Sequence, residues 1–148
     1  MSSPGGITLH HLGCVVPSIE AAIDRYKLAL GATTVSAIFE DPIQRSRVAF
    51  LDLPTAGSLL FELVQPAAPV SPVARFLEKG GGLHHLCYEV DDLQAQIRWM
   101  KSLRALLISS PKPAVAFGGR RIAWMRTPDA LLIEYLERQL PLRSQADL

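Results

Sequence analysis

The chain has 148 residues, of which 49% are hydrophobic and 20% are charged, so it is long enough for one globular domain and too apolar to be disordered. Its 15 basic and 14 acidic side chains give a formal net charge of +1, and no basic stripe with interleaved aromatic residues points to a nucleic-acid partner. Two cysteines are too few for a disulfide framework, and no apolar run approaches the roughly 20 residues that span a membrane, so we expect a cytoplasmic protein without a membrane segment.

The first half of the chain predicts a β-α-β-β-β unit. A strand at about 8–16 leads into a helix at 19–30, for which Ser18 is a suitable N-cap and Gly31 a suitable C-terminal stop. Apolar residues of this helix recur at the i, i+3, i+4, i+7 spacing of a face that packs on a sheet. The remaining strands are predicted near 32–40, 46–53 and 58–65.

A connecting segment at 67–82 follows this unit. It contains one predicted short helix, Val73–Lys79, with Ser71 as its N-cap and Pro72 at its first helical position. The run Gly80-Gly81-Gly82 ends the helix. A strand comes next, whereas a phosphate-binding loop needs a helix there, so we interpret the glycines as a linker.

A second unit has the same order of elements as the first. Its first strand is predicted at 83–90, and Asp91 and Asp92 are the N-cap residues of a helix that runs to about Leu103. The apolar residues of this helix show the same spacing as those of the first. The remaining strands are predicted near 105–109, 120–126 and 130–137.

The two units are copies of one another. Leu9-His10-His11-Leu12 recurs 74 residues later as Leu83-His84-His85-Leu86, and Arg47–Leu51 recurs at the same offset as Arg121–Met125. After a turn that is two residues shorter, the run ending in Glu62 recurs as the run ending in Glu134. Matches in the same order along the chain indicate an internal duplication within a single domain.

Parity along the strand separates the two histidines of each pair, because side chains alternate between the faces of a strand. In the second unit His84 shares a face with Tyr88, and that face is otherwise apolar, as is typical of a surface beneath a helix. His85 shares the opposite, more polar face with Glu89, which suits a cleft. By repeat symmetry His11 faces the same way as His85, so we favour these two over the preceding histidine of each pair.

Two glutamates, Glu62 and Glu134, stand in the middle of otherwise apolar strands. A buried carboxylate without a partner is costly, so a cation or strong donors usually lie beside it. With the two histidines they predict one His-Glu-His-Glu site, whose nitrogen and oxygen donors suit Zn, Mn, Co or Ni. The alternative is that the histidines are ordinary hydrogen-bonded residues and that the glutamates pair with Arg47 and Arg121.

The sequence resembles the vicinal oxygen chelate superfamily, which includes glyoxalases, bleomycin resistance proteins and dioxygenases, and within it the methylmalonyl-CoA epimerase family. Ser71–Lys79, Gly82–Asp92 and Phe61–Pro66 carry the likeness most clearly. The resemblance implies an α+β fold in which two tandem β-α-β-β-β modules form a curved mixed sheet around a metal-binding cleft. It implies one domain over 1–148, with module 1 at about 7–66, a linker helix at 67–82 and module 2 at about 83–138.

The same resemblance implies a site and an activity. Carried over position by position, the ligands of one divalent ion (Co, Mn, Ni or Zn) fall on His11, Glu62, His85 and Glu134. The implied reaction is epimerisation or isomerisation of an acyl-CoA thioester such as methylmalonyl-CoA, in which the proton α to the carbonyl leaves and a metal-stabilised enediolate forms. Glu134 is the first choice for the base, Glu62 is the candidate for the opposite face, and Gln44 is a candidate substrate-binding residue.

The implied partners are a small-molecule substrate and a second copy of the chain in a homodimer. Two alternatives stay open: a glyoxalase-type lyase that uses the same four ligands on a hemithioacetal, and a non-catalytic small-molecule or drug-binding protein of the superfamily. The chain also departs from the epimerase pattern. Ile43–Ser46 replaces a Glu-Gln-Gly-Val segment that contains a carboxylate credited with base duty, Ala116–Gly119 replaces Gly-Ala-His-Gly, and Arg126–Asp129 replaces a His-Pro-Lys turn.

Overall fold

Nine strands form one curved, open mixed sheet in the computed structural model, which describes residues 2–139. The ends of the predicted domain, residue 1 and residues 140–148, lie outside the described residues. The elements follow one another along the chain as β1 Thr8–Val15, α1 Ile19–Leu30, β2 Thr33–Thr34, β3 Phe39–Asp41, β4 Ser46–Pro54, β5 Ser58–Pro66, α2 Ala74–Glu78, β6 Gly82–Val90, α3 Leu93–Ser102, β7 Leu106–Pro113, β8 Arg121–Arg126 and β9 Leu132–Glu137.

The strand order reflects the duplication. The sheet runs β2-β4-β5-β1-β6-β9-β8-β7, with β3 paired to β4. In each half the first strand pairs in parallel with the last, as β1 with β5 and β6 with β9. The halves join through the antiparallel pair β1–β6, so the first strands of both units lie side by side at the centre of the sheet. This is the predicted α+β architecture of two β-α-β-β-β units.

The two long helices begin where the sequence predicts. Ser18 Oγ accepts a hydrogen bond from the backbone N–H of Ala21 at 3.2 Å, and Gly31 ends α1 in the left-handed conformation with φ of 67°. Asp92 Oδ1 accepts from the backbone N–H of Ala95 at 2.9 Å and caps α3. Both caps satisfy backbone donors that a helix leaves free at its first turn.

Two predicted elements differ from the structure. The helix of the connecting segment begins at Ala74 after Val73 and not after Ser71, because the carbonyl of Ser71 accepts from the N–H of Ala74 in a preceding turn. The strand predicted at 32–40 is split into β2 and β3. Between them the hydroxyl of Ser36 accepts from the backbone N–H of Phe50 at 2.8 Å, and this side-chain bond interrupts the strand ladder.

Alternation along the strands gives the sheet one helix-covered face and one cavity face. Phe61 and Leu63 pack with Ile19 of α1 in the core of the first unit, and Ile133 and Tyr135 pack with α3 in the second. The residues between them on β5 and β9 point the other way, because side chains alternate with a period of two. Among the helices that the structure describes, none combines the length and hydrophobicity of a membrane span.

We expect Ser18→Ala to lower the free energy of unfolding by about 1 kcal/mol, because the substitution removes the N-cap of α1. Urea denaturation measures the change. Ser3→Ala is the matched control, since the exposed Ser3 hydroxyl bonds only to the carbonyl of the next residue, and it should alter the free energy by less than about 0.5 kcal/mol. Equal effects of the two substitutions would contradict the capping role of Ser18.

Candidate metal centre

Four buried side chains from four adjacent central strands meet at one point of the cavity face. β1, β5, β6 and β9 each supply one of them. The exposed fraction is at most 6% for any of them. Together they are called the four-residue cluster here: His11, Glu62, His85 and Glu134. The structure therefore brings together the four residues that the sequence pattern singles out.

The distances within the cluster suit a single small cation. The Nε2 atoms of His11 and His85 lie 3.2 Å apart. Glu62 brings its two oxygens to 3.6 Å from His11 Nε2 and 3.3 Å from His85 Nε2, and Glu134 Oε1 lies 3.3 Å and 3.8 Å from the same atoms. Two nitrogen ligands at about 2.0–2.1 Å from a tetrahedral ion lie roughly 3.3–3.4 Å apart, so the imidazole spacing fits.

The electrostatics of the cluster also favour a cation. Burial lowers the pKa of His11, but the carboxylates of Glu62 and Glu134 outweigh burial and raise this pKa to about 10. Burial raises the pKa of Glu62, yet His11 and His85 together hold it well below its usual range. Glu134 Oε1 is buried and, among the described residues, accepts no hydrogen bond. Two carboxylates in a buried site leave a need for positive charge that a divalent ion satisfies.

Arginine does not supply that positive charge. Arg47 donates to Glu20 at 2.8 Å and to Gln65 at 3.1 Å. Arg121 donates to Glu137 at 2.8 Å. The alternative interpretation, in which the two arginines neutralise the glutamates of the cluster, is therefore wrong. Parity explains the result, because each arginine projects from its strand to the face that carries the helices.

Gly13 makes room for the cluster. It lies opposite both Glu62 and His85 in the sheet, and a Cβ atom built on it would lie 1.9 Å from Cε1 of His85. The ring of His85 thus occupies the space that any side chain at position 13 would need. The sequence pattern did not single out Gly13, although a glycine inside a strand often marks a close approach of neighbouring groups.

The repeat-equivalent position is Cys87, which lies opposite His11 and Glu134. Burial, and next the charge of Glu134, raise the pKa of this thiol far above its usual range. A thiol that stays protonated is neither a nucleophile nor a ready metal ligand. Cys87 therefore fills space beside the cluster.

The preceding histidine of each pair contacts the cluster directly. His10 Nδ1 lies 2.8 Å from His11 Nδ1, and His84 Nδ1 lies 2.9 Å from His85 Nδ1. Burial, and next the neighbouring histidine, lower the pKa of His84 to about 4 and also lower that of His10. Both of these outer imidazoles are therefore neutral at physiological pH.

The prediction from strand alternation placed His84 on the wrong face of the sheet. It lines the cavity with His85, although alternation predicted it beneath the helix with Tyr88. The register of β1 against β6 shifts at this point, so His84 is the extra residue of a β-bulge. A bulge breaks the alternation of side chains on which the prediction depended.

A cavity of about 670 Å³ opens over the cluster. Its wall includes Glu62, His85 and Glu134, with His11 fully buried beside them. Gln44, the candidate substrate-binding residue, also lines the cavity, and its backbone N–H donates to Asp41 Oδ1 at 3.0 Å. The wall further carries four cationic side chains, which are Arg75, Lys79, Lys112 and Arg126. The volume is that of an ordinary small-molecule site, which typically spans roughly 300–1,000 Å³.

Gly13→Ala should displace the ring of His85 and weaken uptake of Co²⁺ by on the order of tenfold or more, because the new methyl group occupies the position of that ring. Overpacking should also lower the free energy of unfolding by about 1–3 kcal/mol. Gly57→Ala is the matched control, since a Cβ there meets no atom within 4 Å. Isothermal titration calorimetry compares the two variants, and normal Co²⁺ affinity in Gly13→Ala would contradict the packing described here.

Metal affinity should rise with pH up to about pH 10. The pKa of His11 is raised to about 10, so below that pH a divalent ion must displace the His11 proton. We expect about one proton to be released for each Co²⁺ bound near neutral pH. Calorimetry in buffers with different heats of ionisation measures this release. Binding that is independent of pH and releases no proton would contradict the charge arrangement.

The chain is similar to known proteins over most of its length. The model of the Glyoxalase/Bleomycin resistance protein/Dioxygenase superfamily matches residues 10–124. An ethylmalonyl-CoA/methylmalonyl-CoA epimerase of Cereibacter sphaeroides is 36% identical over 123 residues, which are 82% of this chain and 89% of the relative. The mitochondrial methylmalonyl-CoA epimerase of Homo sapiens is 35% identical over 74% of this chain, which spans 61% of that longer protein.

The fold is also that of a solved structure. The crystal structure of methylmalonyl-CoA epimerase from Mycobacterium tuberculosis superimposes with a TM-score of 0.76 and 29% identity, over 89% of this chain and 88% of the other. The family match covers well over half of the residues. The chain belongs to the Glyoxalase/Bleomycin resistance protein/Dioxygenase superfamily.

Proposed function

We propose that this enzyme epimerises methylmalonyl-CoA, and that its four-residue cluster holds one divalent metal ion. The observation that carries the proposal is the convergence of two imidazoles and two carboxylates beside a cavity of about 670 Å³. Relatives that are named methylmalonyl-CoA epimerases share about a third of their aligned residues with the chain. Co, Mn, Ni and Zn all accept this donor set.

The reaction requires a carbon acid to lose and regain a proton. The C2 proton of methylmalonyl-CoA lies α to the thioester carbonyl, and its removal moves negative charge onto the carbonyl oxygen. The four-residue cluster would hold a divalent ion, and that ion would supply Lewis-acid stabilisation of this charge. The protein itself must then provide a proton acceptor on one face of C2 and a proton donor on the other.

Glu134 is the proposed base. Its side chain lines the cavity, and a carboxylate ligand can loosen from an ion and take the C2 proton. Glu62 comes from the other module and is the proposed partner for the opposite face. In the forward reaction Glu62 must first take up a proton from solvent, which it then delivers to C2. In the reverse reaction the two roles exchange, and Glu62 takes the C2 proton in its ionised form, which the histidines favour.

The cavity wall suits an anionic substrate. Coenzyme A carries a diphosphate and a further phosphate, and Arg75 and Lys79 lie on one element of the wall while Lys112 and Arg126 lie on others. Cationic side chains bind phosphate groups through charge-assisted hydrogen bonds. Gln44 lines the same cavity, and we propose that its side chain positions the acyl group.

Two further parts of the proposal concern the protein as a whole. We propose a homodimer, as the resemblance implies, and light scattering coupled to size-exclusion chromatography measures its mass.

We also propose a cytoplasmic location. Cys14 and Cys87 are both free and buried, and such thiols are typical of proteins from a reducing compartment.

Glu134→Gln should slow exchange of the C2 proton of methylmalonyl-CoA with D₂O by about 10²–10⁴-fold, because the amide cannot accept the proton. NMR spectroscopy of the thioester measures the exchange in protein loaded with Co²⁺. Glu137→Gln is the matched control on the same strand, since Glu137 pairs with Arg121 outside the cavity, and it should leave the rate unchanged.

The wild-type result decides between the proposed function and its alternatives. If wild-type protein loaded with Co, Mn, Ni or Zn in turn never exchanges the C2 proton with D₂O, the epimerase mechanism is contradicted. Turnover of a hemithioacetal without thioester exchange would favour the lyase. Metal uptake without either activity would favour a binding protein of the same superfamily.

A further inference from the structure

The two outer histidines occupy equivalent irregularities of the sheet. The register of β1 against β6 shifts once between Leu9 and His11 and once between Gly13 and Cys14. The extra residue is His10 on β1 in the first shift and His84 on β6 in the second. Each β-bulge therefore turns a histidine toward the ligand histidine that follows it, and the duplication has kept both bulges.

The hydrogen bond between the rings has a direction that metal binding determines. A histidine that binds an ion through Nε2 carries its proton on Nδ1, and this N–H must find an acceptor. The Nδ1 atoms of His10 and His84, at 2.8 Å and 2.9 Å, are within hydrogen-bond distance. If either outer ring donated instead, the ligand ring would carry its proton on Nε2 and would have no lone pair for the ion.

We propose that His10 and His84 are positioning residues that accept the Nδ1–H of His11 and His85 and so hold each ligand ring with its Nε2 lone pair directed into the four-residue cluster. This inference rests on the proposed metal centre and extends it. Most histidine ligands use a carboxylate or a backbone carbonyl as this acceptor. Here the imidazole of the adjacent residue takes that role in both halves.

Aromatic packing fixes the outer rings in turn. His10 makes an edge contact with Phe117, with ring centroids 5.5 Å apart. His84 makes edge contacts with Phe76 at 4.8 Å and with Trp124 at 6.0 Å. These contacts mean that an outer histidine has two separable properties, the shape of its ring and the acceptor nitrogen. Substitutions that remove one property and keep the other therefore show which of the two metal binding requires.

The test uses one pair of substitutions at each outer position. His10→Phe and His84→Phe keep an aromatic ring for packing but remove the acceptor. His10→Asn and His84→Asn remove the ring but keep an acceptor, since the amide oxygen of asparagine is bonded to Cγ as Nδ1 is in histidine. Co²⁺ is titrated into metal-free protein by calorimetry, its visible absorption spectrum is recorded, and thermal unfolding of the metal-free protein is followed in parallel.

We expect each phenylalanine variant to bind Co²⁺ about 10–100-fold more weakly than wild type and to shift the cobalt spectrum, and each asparagine variant to stay within about threefold of wild type. Weak binding by the asparagine variants with normal binding by the phenylalanine variants would assign the outer histidines to packing and overturn the proposal. Normal binding by all four variants would also overturn it.

The same measurements separate this inference from the proposed reaction. A wild-type protein that takes up no Co²⁺ would overturn both the positioning role and the metal centre. A wild type that binds Co²⁺, with the expected loss in the phenylalanine variants but no exchange of the thioester C2 proton, would leave the positioning role in place and remove only the epimerase function.

Discussion

Burial of two carboxylates beside two imidazoles is the constraint on which the arrangement of this protein depends. Each group alone would be costly inside a sheet that is otherwise apolar. Their mutual distances of 3.2–3.8 Å turn four costly groups into one donor set whose charge a single cation balances. Without a cation, burial of these charged groups is energetically unfavourable. The same buried donor atoms suit the cluster to metal-dependent chemistry.

The duplicated fold solves the problem of supplying four ligands from short motifs. Each module supplies only one histidine and one glutamate. The antiparallel pairing of β1 with β6 brings the two His/Glu pairs together at the centre of the sheet. The helices cover the opposite face, so that the cavity face is free for substrate. The same strands that hold the core together thus set the geometry of the site.

The repeat and the hydrophobic pattern are properties of the chain itself, and they were enough to predict the two β-α-β-β-β units and to single out the four residues of the cluster. The curved mixed sheet around a cleft was implied by the resemblance to the superfamily. The role of Gly13 was missed, since its cause is the ring of His85 on a neighbouring strand. The face of His84 was predicted wrongly, since a bulge is set by the register between β1 and β6 and leaves no mark in the local pattern. The split of the strand at 32–40 likewise depends on Ser36 meeting Phe50 across the sheet.

Gly13 and Cys87 occupy equivalent places in the two halves, yet only one of them carries a side chain. A cysteine at position 13 would collide with the ring of His85, because even a methyl carbon there lies 1.9 Å from it. A chain assembled from two second modules would therefore carry a cysteine side chain in the space that the ring of His85 occupies here. The halves began as copies, but at these two positions their side chains are no longer interchangeable.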